Sequence, residues 1–334
     1  MNETNCHSTS SPSSLSSQSS FATVNLFGIP VAKVTEEEAV ARIIAFAKAR
    51  NSQLTTHNSQ LSTKLVATLN VDFVANAVSG WPFGGNDELW GYLKTADLVT
   101  ADGMPIVLLS KLMRNPLPER VTGADMVPAI FHRCAEEGLS VYVLGGDKET
   151  VEAAFEKLGA LNGQDARCPS GVLATDEDVR SPSERSRETR DSTSTTTNPQ
   201  LSTINYQLST INSQPRIAGI DPAFIKLDQD QPEIVDRINA AKPDVLFVAL
   251  GNPKQELWMG RNRAKLEVGV MIGVGGTFNF IAGKVKRAPK WMQRCGLEWI
   301  YRILQEPRRL WRRYAYGLFK FSWLSFRALL GGFR

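Results

Sequence analysis

A reaction that moves a group between molecules needs one side chain to take a proton and others to hold developing negative charge. The sequence narrows both roles. It holds three histidines: His7 and His57 fall in low-complexity stretches, and His132 sits within the helical run IFHRCAEEG, where a surface or core role is the simpler account. A general base is therefore expected to be a carboxylate. Asp102 is the best placed, because it ends the apolar run LVTAD and precedes Gly103, where the backbone must turn. An Asp capping the following run MPIVLLSKLM would occupy the same place, and the sequence leaves both readings open.

Positive charge is abundant in one stretch. LEWIYRILQEPRRLWRRY, from Leu297 to Tyr314, interleaves five arginines with two tryptophans and two tyrosines. Guanidinium groups hold a diphosphate bidentately and need no cation to do so. Metal ligands are scarce. Cys6, Cys134, Cys168 and Cys295 lie far apart, and the words DED (176–178) and DQD (228–230) fall in polar connecting stretches. Neither a metal nor a cofactor is expected.

The nucleotide-binding signatures fail when counted. GVGGTF opens like a dinucleotide fingerprint but puts Phe278 where the third glycine belongs. GGTFNFIAGKV resembles a phosphate loop, yet Gly283 comes two residues too late and Val285 replaces the metal-binding hydroxyl. LGGDKET remains, where Gly145 and Gly146 join a strand to a helix N-terminus whose N–H groups could meet a diphosphate.

The elements that must carry these residues alternate. VNLFGIPVAKV is extended, and Thr35 with Glu38 forms a capping box opening a helix through AVARIIAFAKA. KLVATLNV, ADLVTAD, LSVYVLGG, PDVLFVALG and VGVMIGVGG are apolar strand runs, separated by helical patterns such as ADMVPAIFHRCAEEG, KETVEAAFEKLGAL and QPEIVDRINAAK. That alternation predicts an α/β, Rossmann-like fold: a parallel sheet with helices on both faces. Ligands in such sheets sit beyond the carboxyl ends of the strands, where TLN, ADG, GGD, GNPKQE and GGTFN all fall.

Three stretches stand apart. Residues 1–20 form a Ser-rich head expected to be disordered, and low-complexity inserts near 51–63 and 176–215 share the repeated word QLST. The remaining chain divides into an α/β domain over 21–283 and a C-terminal appendage over 284–334. From Lys284 to Arg334 thirteen Lys/Arg face two Glu, a net +11, so residues 1–283 must carry −7 of the total +4. Past Pro307, Arg308 with Arg312 and Arg309 with Arg313 share one side of a helix, beside a stripe of Leu310, Trp311, Tyr314 and Leu318. Such a basic amphipathic helix suits an anionic membrane surface, or could dock on its own acidic body. No run of ~18 apolar residues and no secretory signal is present, so a cytoplasmic protein, peripheral on the inner face of the cell membrane, is expected. Nothing resembles a nucleic-acid recognition module. The sequence leaves open whether the chain forms a homo-oligomer.

Taken together, TLNVDFVANA, ADGMPIV, ERVTGADMV, VYVLGG, LGNPKQE, GVGGTFNFIAGKVKRAPKWM and LEWIYRILQEPRR resemble the WecG/TagA/CpsF glycosyltransferases, glycosyltransferase family 26. The resemblance covers about 24–161 and 216–316. It implies an inverting, metal-independent transfer of an N-acetylmannosamine-type sugar from a UDP-sugar donor to N-acetylglucosamine on a polyprenyl diphosphate. It also implies Asp102 as the base, Thr68 and Asn70 as a T-x-N pair beside the substrate, Arg120 as the arginine of ERVTG, and Gln255 with Glu256 as PKQE contacts. Arg302, Arg309 and Arg312 match arginines of an appendage that closes over the site at the membrane. Asn279 stands where many relatives carry Asp, and GIDPAF replaces a usual Gly-Tyr word. Two other classes remain in view: a nucleotide-sugar-modifying enzyme on the same fold, lacking its glycine fingerprint, and a non-catalytic membrane adaptor whose tail is the function.

Overall fold

The structure, a computed structural model, describes residues 21–55, 63–80, 82–160, 214–222, 225–227 and 231–331; the side chains of 51–55, 160, 294 and 309 are outside that description. The Ser-rich head, His7, His57, Cys6, Cys168, both DxD words and nearly all the QLST repeats therefore lie outside the described residues.

Strands β1 (Thr23–Leu26) and β2 (Ile29–Ala32) form an antiparallel hairpin. Its two-residue turn takes φ of 57° at Phe27 and 81° at Gly28, a backbone that matches the twist of the flanking strands. Helix α1 (Glu36–Thr55) opens on the expected capping box: the Thr35 amide donates to Glu38 Oε2 at 2.8 Å, and the Glu38 amide donates to Thr35 Oγ1 at 3.3 Å. One boundary differs from expectation. α1 runs on through the first five residues of the 51–63 stretch, and Thr63 is buried with its hydroxyl donating to the Leu266 carbonyl. Only 56–62 of that stretch lie outside the described structure.

The six other strands form one parallel sheet. They are β3 (Lys64–Leu69), β4 (Leu98–Ala101), β5 (Ser140–Leu144), β6 (Arg216–Asp221), β7 (Val245–Val248) and β8 (Val270–Gly273), in the order β4-β3-β8-β7-β5-β6. Five come from the apolar runs, whereas β6 is an edge strand of half-exposed residues. Side chains alternate between faces as the strand period requires. Val66, Val141, Val143, Phe247 and Ile272 join a core with α1, α5 (Gly123–Glu136) and α6 (Lys148–Ala160). Tyr142, Leu144, Leu246, Val248 and Met271 face α7 (Pro232–Ala241) and α8 (Lys254–Asn262). Ala67, Leu69, Val99 and Ala101 face α2 (Val71–Ala77), α3 (Asp87–Thr95), α4 (Met104–Leu112) and the hairpin. Helices cover both faces, so the strands can be apolar throughout.

After β8 come α9 (Thr277–Ile281), α10 (Lys290–Arg294), α11 (Glu298–Gln305) and α12 (Pro307–Leu329). The last helix lies on α2 and the hairpin. Phe321 and Leu324 are buried in that contact, and Phe321 meets Phe27 edge-on at 5.9 Å. Full burial of each such side chain is worth roughly 1.5–3 kcal/mol. Arg313 pairs with Asp72 at 2.7 Å. Lys320 is almost fully buried and donates to the carbonyls of Ala75, at 2.6 Å, and Gly84. Ala75 lies near the carboxyl end of α2, where a helix dipole favours a cation.

Of the two readings of the basic helix, docking on the chain's own body thus holds for one face. The expected apolar stripe is corrected: Leu310 is buried and Tyr314 half-buried, the latter against Trp299 of α11 at 6.5 Å, while Trp311 turns outward. The outward face carries Trp311, Tyr316, Phe319 and Phe326, each more than half exposed, with Arg308 and Arg312 also exposed. Among the described residues no helix is long and apolar enough to cross a membrane.

Candidate active site

Parallel pairing sets Asp102 in place. Thr68 on β3 is opposite Thr100 on β4, Leu69 is opposite Ala101, and the Asp102 amide donates to the Leu69 carbonyl at 2.8 Å. Asn70 and Asp102 therefore stand level at the carboxyl ends of neighbouring strands. Asn70 caps α2, its side-chain oxygen accepting from the Phe73 amide at 3.1 Å. Asp102 does not cap: the N-cap of α4 is Gly103, at φ 137°, with no side-chain cap bond. That removes the structural alternative left open by the sequence.

The segment before α5 then folds against the end of β4. The Val121 amide donates to the Ala101 carbonyl at 2.8 Å, and Thr100 Oγ1 donates to the Val121 carbonyl at 3.3 Å. This brings Arg120 beside Asp102. Arg120 pairs with Glu298 at 3.0 Å and Asp125 at 3.4 Å; Arg287 pairs with Asp125 at 2.5 Å and Glu298 at 3.3 Å. Two guanidiniums and two carboxylates close a ring around which charge nearly cancels.

Asp102 is half-buried, and no hydrogen bond or ion pair ties down its carboxyl group within the described residues. Burial pushes its pKa to about 7; Arg120 pulls the other way, while Glu298 and Asp125 add to the rise. Burial raises the Asp125 pKa as well, but the hydrogen bonds and charge of Arg287, with Thr122 and Arg120, together outweigh it and hold that carboxylate below its usual range. Two carboxylates of one neighbourhood are thus driven apart. One is locked as an anion, and the other is set near neutrality, where a proton acceptor works best.

A second group lies beyond β5, β7 and β8. A cleft of about 210 Å³ is lined by Gly146, Thr150, Leu250, Gly275, Gly276 and Asn279 among others. Gln255 braces two of its walls, accepting from the Gly251 amide at 3.1 Å and the Gly275 amide at 3.0 Å, and so ties the loops after β7 and β8 together. Gly273 must lack a side chain here, because a Cβ would fall 2.7 Å from Gln255 Nε2. Glu256 is buried too. Its Oε2 accepts from Asn252 at 3.1 Å, Asn252 in turn accepts from Asn76 on α2 at 2.6 Å, and its Oε1 has no partner. Burial pushes the Glu256 pKa up to about 8.

Comparison with known proteins decides the class. The model of the glycosyl transferase WecG/TagA/CpsF family matches residues 24–179 and 196–334. The chain belongs to this family. It is 28% identical over 265 residues to the N-acetylglucosaminyldiphosphoundecaprenol N-acetyl-beta-D-mannosaminyltransferase of Bacillus spizizenii (strain ATCC 23059 / NRRL B-14472 / W23), covering 79% of this chain and 82% of that protein. It is 24% identical over 249 residues to the protein of the same name from Bacillus subtilis (strain 168), covering 75% and 74%. The chain is a glycosyltransferase of the WecG/TagA/CpsF type.

Within this glycosyltransferase the expected site residues fall into three places. Thr68, Asn70, Asp102 and Arg120 gather at the ends of β3 and β4. Gly146, Gln255 and Glu256 belong to the cleft region and its supports. Gly145 differs from expectation: its amide donates to the Asp221 carbonyl at 2.7 Å, so it shapes the turn and offers no N–H to a ligand. Its φ of 86° and the 2.6 Å approach a Cβ would make to Leu250 explain the glycine. At the N-terminus of α6 the Asp147 carboxylate already accepts from Thr150 and pairs with Lys284 at 2.9 Å.

Arg302 stacks over Phe280, beyond the loop after β8, at 5.0 Å. Arg312 is exposed on α12 with its guanidinium over Trp311. The Arg309 side chain is outside the described structure. His132 sits in α5 beside Phe131, with a buried Nδ1 that lacks a partner. Asp125, Arg287 and Glu298 were not singled out from the sequence. The words that contain them are GADMV, KRAPKW and LEWIYR, and no local spacing joins residues that far apart.

Proposed function

We propose that the enzyme moves an N-acetylmannosamine-type sugar from a UDP donor to N-acetylglucosamine carried on a polyprenyl diphosphate, with inversion at the anomeric carbon. The printed names of the two Bacillus relatives support the sugar and the acceptor. The observation that carries the chemistry is Asp102: an unpaired strand-end carboxyl poised at about 7, in a neighbourhood where Asp125 and Glu298 are both held by guanidiniums. Among these three, it alone is at liberty to accept a proton.

In this reading the acceptor hydroxyl gives its proton to Asp102 as its oxygen attacks the sugar C1. The bond from C1 to the donor diphosphate breaks on the opposite face, and UDP leaves with the electron pair. One displacement with one base inverts the centre. The cleft past β5, β7 and β8 lies at the strand ends where a donor would bind and would take part of it, with Gly146, Gly275, Gly276 and Asn279 on its walls. In this reading Arg120 and Arg302 would balance the diphosphate charge, which is the basis for expecting metal-independent transfer. The membrane contact falls to the outward face of α12, where Trp311, Phe319 and Phe326 lie beside Arg308 and Arg312.

The test is release of UDP from UDP-N-acetylmannosamine with a lipid-diphosphate-linked N-acetylglucosamine, in the presence of EDTA. Turnover that survives the chelator is expected. Trp311→Ser with Phe319→Ser should slow transfer to acceptor embedded in anionic vesicles while sparing a short-chain, water-soluble acceptor. No UDP from that donor, or extinction by EDTA, contradicts the proposal.

A further inference from the structure

The ring of charges beside Asp102 is drawn from three segments of the chain. Arg120 precedes α5, Asp125 lies in its first turn, Arg287 precedes α10, and Glu298 is the first residue of α11. Only Glu298 comes from the helices that lead into the basic tail. Its two oxygens divide the work: Oε2 accepts from Arg120 Nη1 at 3.0 Å and Oε1 from Arg287 Nε at 3.3 Å. The Glu298 side chain is 22% exposed and that of Arg120 17%, so water screens the contact only in part.

We propose that Glu298 is a positioning residue: by joining Arg120 to Arg287 from α11, it fixes the charge that the base Asp102 faces and makes the C-terminal helices part of the chemical site. The proposal rests on the reading of Asp102 as the transferase base. Without Glu298 the two guanidiniums would share Asp125 alone, and a net positive charge would stand beside Asp102. The charged groups that act on Asp102 are Arg120, Glu298, Asp125 and Arg287; Glu36 and Glu119 stand behind Asp125, and the neighbouring Asn70 and Thr68 are uncharged. Every one of these but Glu298 would remain, so the sign is determined: the Asp102 carboxylate becomes easier to form and titrates at lower pH.

The experiment uses the full chain with Glu298→Gln, which keeps side-chain length and removes the charge. The Asp102 carboxyl is titrated by carbon NMR, assigned with Asp102→Asn, alongside hydrogen exchange of the α11 amides and the pH dependence of transfer. The expected result is a titration midpoint lower by on the order of one pH unit, unchanged α11 protection, a rate profile shifted by the same amount, and partial return in Glu298→Asp. An unmoved midpoint overturns the proposal. A midpoint that moves only with loss of α11 protection also overturns it, since loosening would then be the cause. If the titration shifts as expected but no donor yields transfer, the role of Glu298 stands and the transferase reading of Asp102 falls.

Discussion

Asp102→Asn is expected to lower transfer by about 10³-fold, within the range for removing a positioned general base, while leaving the melting temperature at least as high as in the parent chain. The two outcomes together distinguish a base from a structural aspartate. The carboxyl group has no ion pair or hydrogen-bonding partner among the described residues, so no neighbour is orphaned when it becomes an amide. Arg120 keeps Glu298 and Asp125. Burial raises the Asp102 pKa to about 7, so at higher pH the native state must hold an anion in a poorly solvated place. A neutral amide avoids that cost. Had Asp102 been a helix cap, the same substitution would leave the rate intact, since asparagine caps a helix about as well as aspartate does. Purified variant, UDP release and thermal unfolding suffice to decide.

Glu256→Gln is expected to make the protein more stable at pH 7 to 8, on the order of 3 kcal/mol, and to remove a pH slope that the parent chain shows. Burial raises the Glu256 pKa from 4.5 to about 8 in the folded chain. Because the folded value lies above the unfolded one, the favourable contribution is complete below about 4.5 and is lost as pH climbs toward 8. Over that window the unfolded chain releases a proton that the folded chain retains. The amide can still accept from Asn252, whose 3.1 Å bond to Oε2 is the contact worth preserving. Denaturant midpoints of both chains should coincide near pH 4 and diverge steadily up to pH 8. Parallel curves over that range would show that Glu256 ionises freely, and the burial argument would be wrong.

Much of the site's frame was visible in the sequence because its cause is local. Each apolar run long enough for a strand and bounded by glycine or asparagine became one, and the end of LVTAD, followed by Gly103, put a carboxylate at a strand tip. The Thr35–Glu38 box formed as its spacing required. Where the sequence fell short, the cause was tertiary. Nothing within α12 says that α2 will present Asp72 and that the hairpin will present Phe27, so which side of the helix turns inward could not be read from its own residues. Lys320 looked like an interruption of an apolar run, yet it is a buried donor to two carbonyls of the body. The charge ring joins Asp125 to Arg287 across 162 positions. The strand RIAGID is less buried than the other five because it forms the edge of the sheet.

The comparison with the Bacillus relatives and the geometry bear on different parts of the account. Similarity carries the family and supports the substrates; the strand-end carboxylate and its ring of partners carry the mechanism. The mechanism therefore has to be tested on the proton itself. The most direct measurement is kcat/KM for sugar transfer from pH 5 to pH 9 in the parent enzyme. An ascending limb with a midpoint near 7, absent from the residual activity of Asp102→Asn, is the predicted result. A rate that is flat across the range, or a limb that persists unchanged in Asp102→Asn, would contradict it.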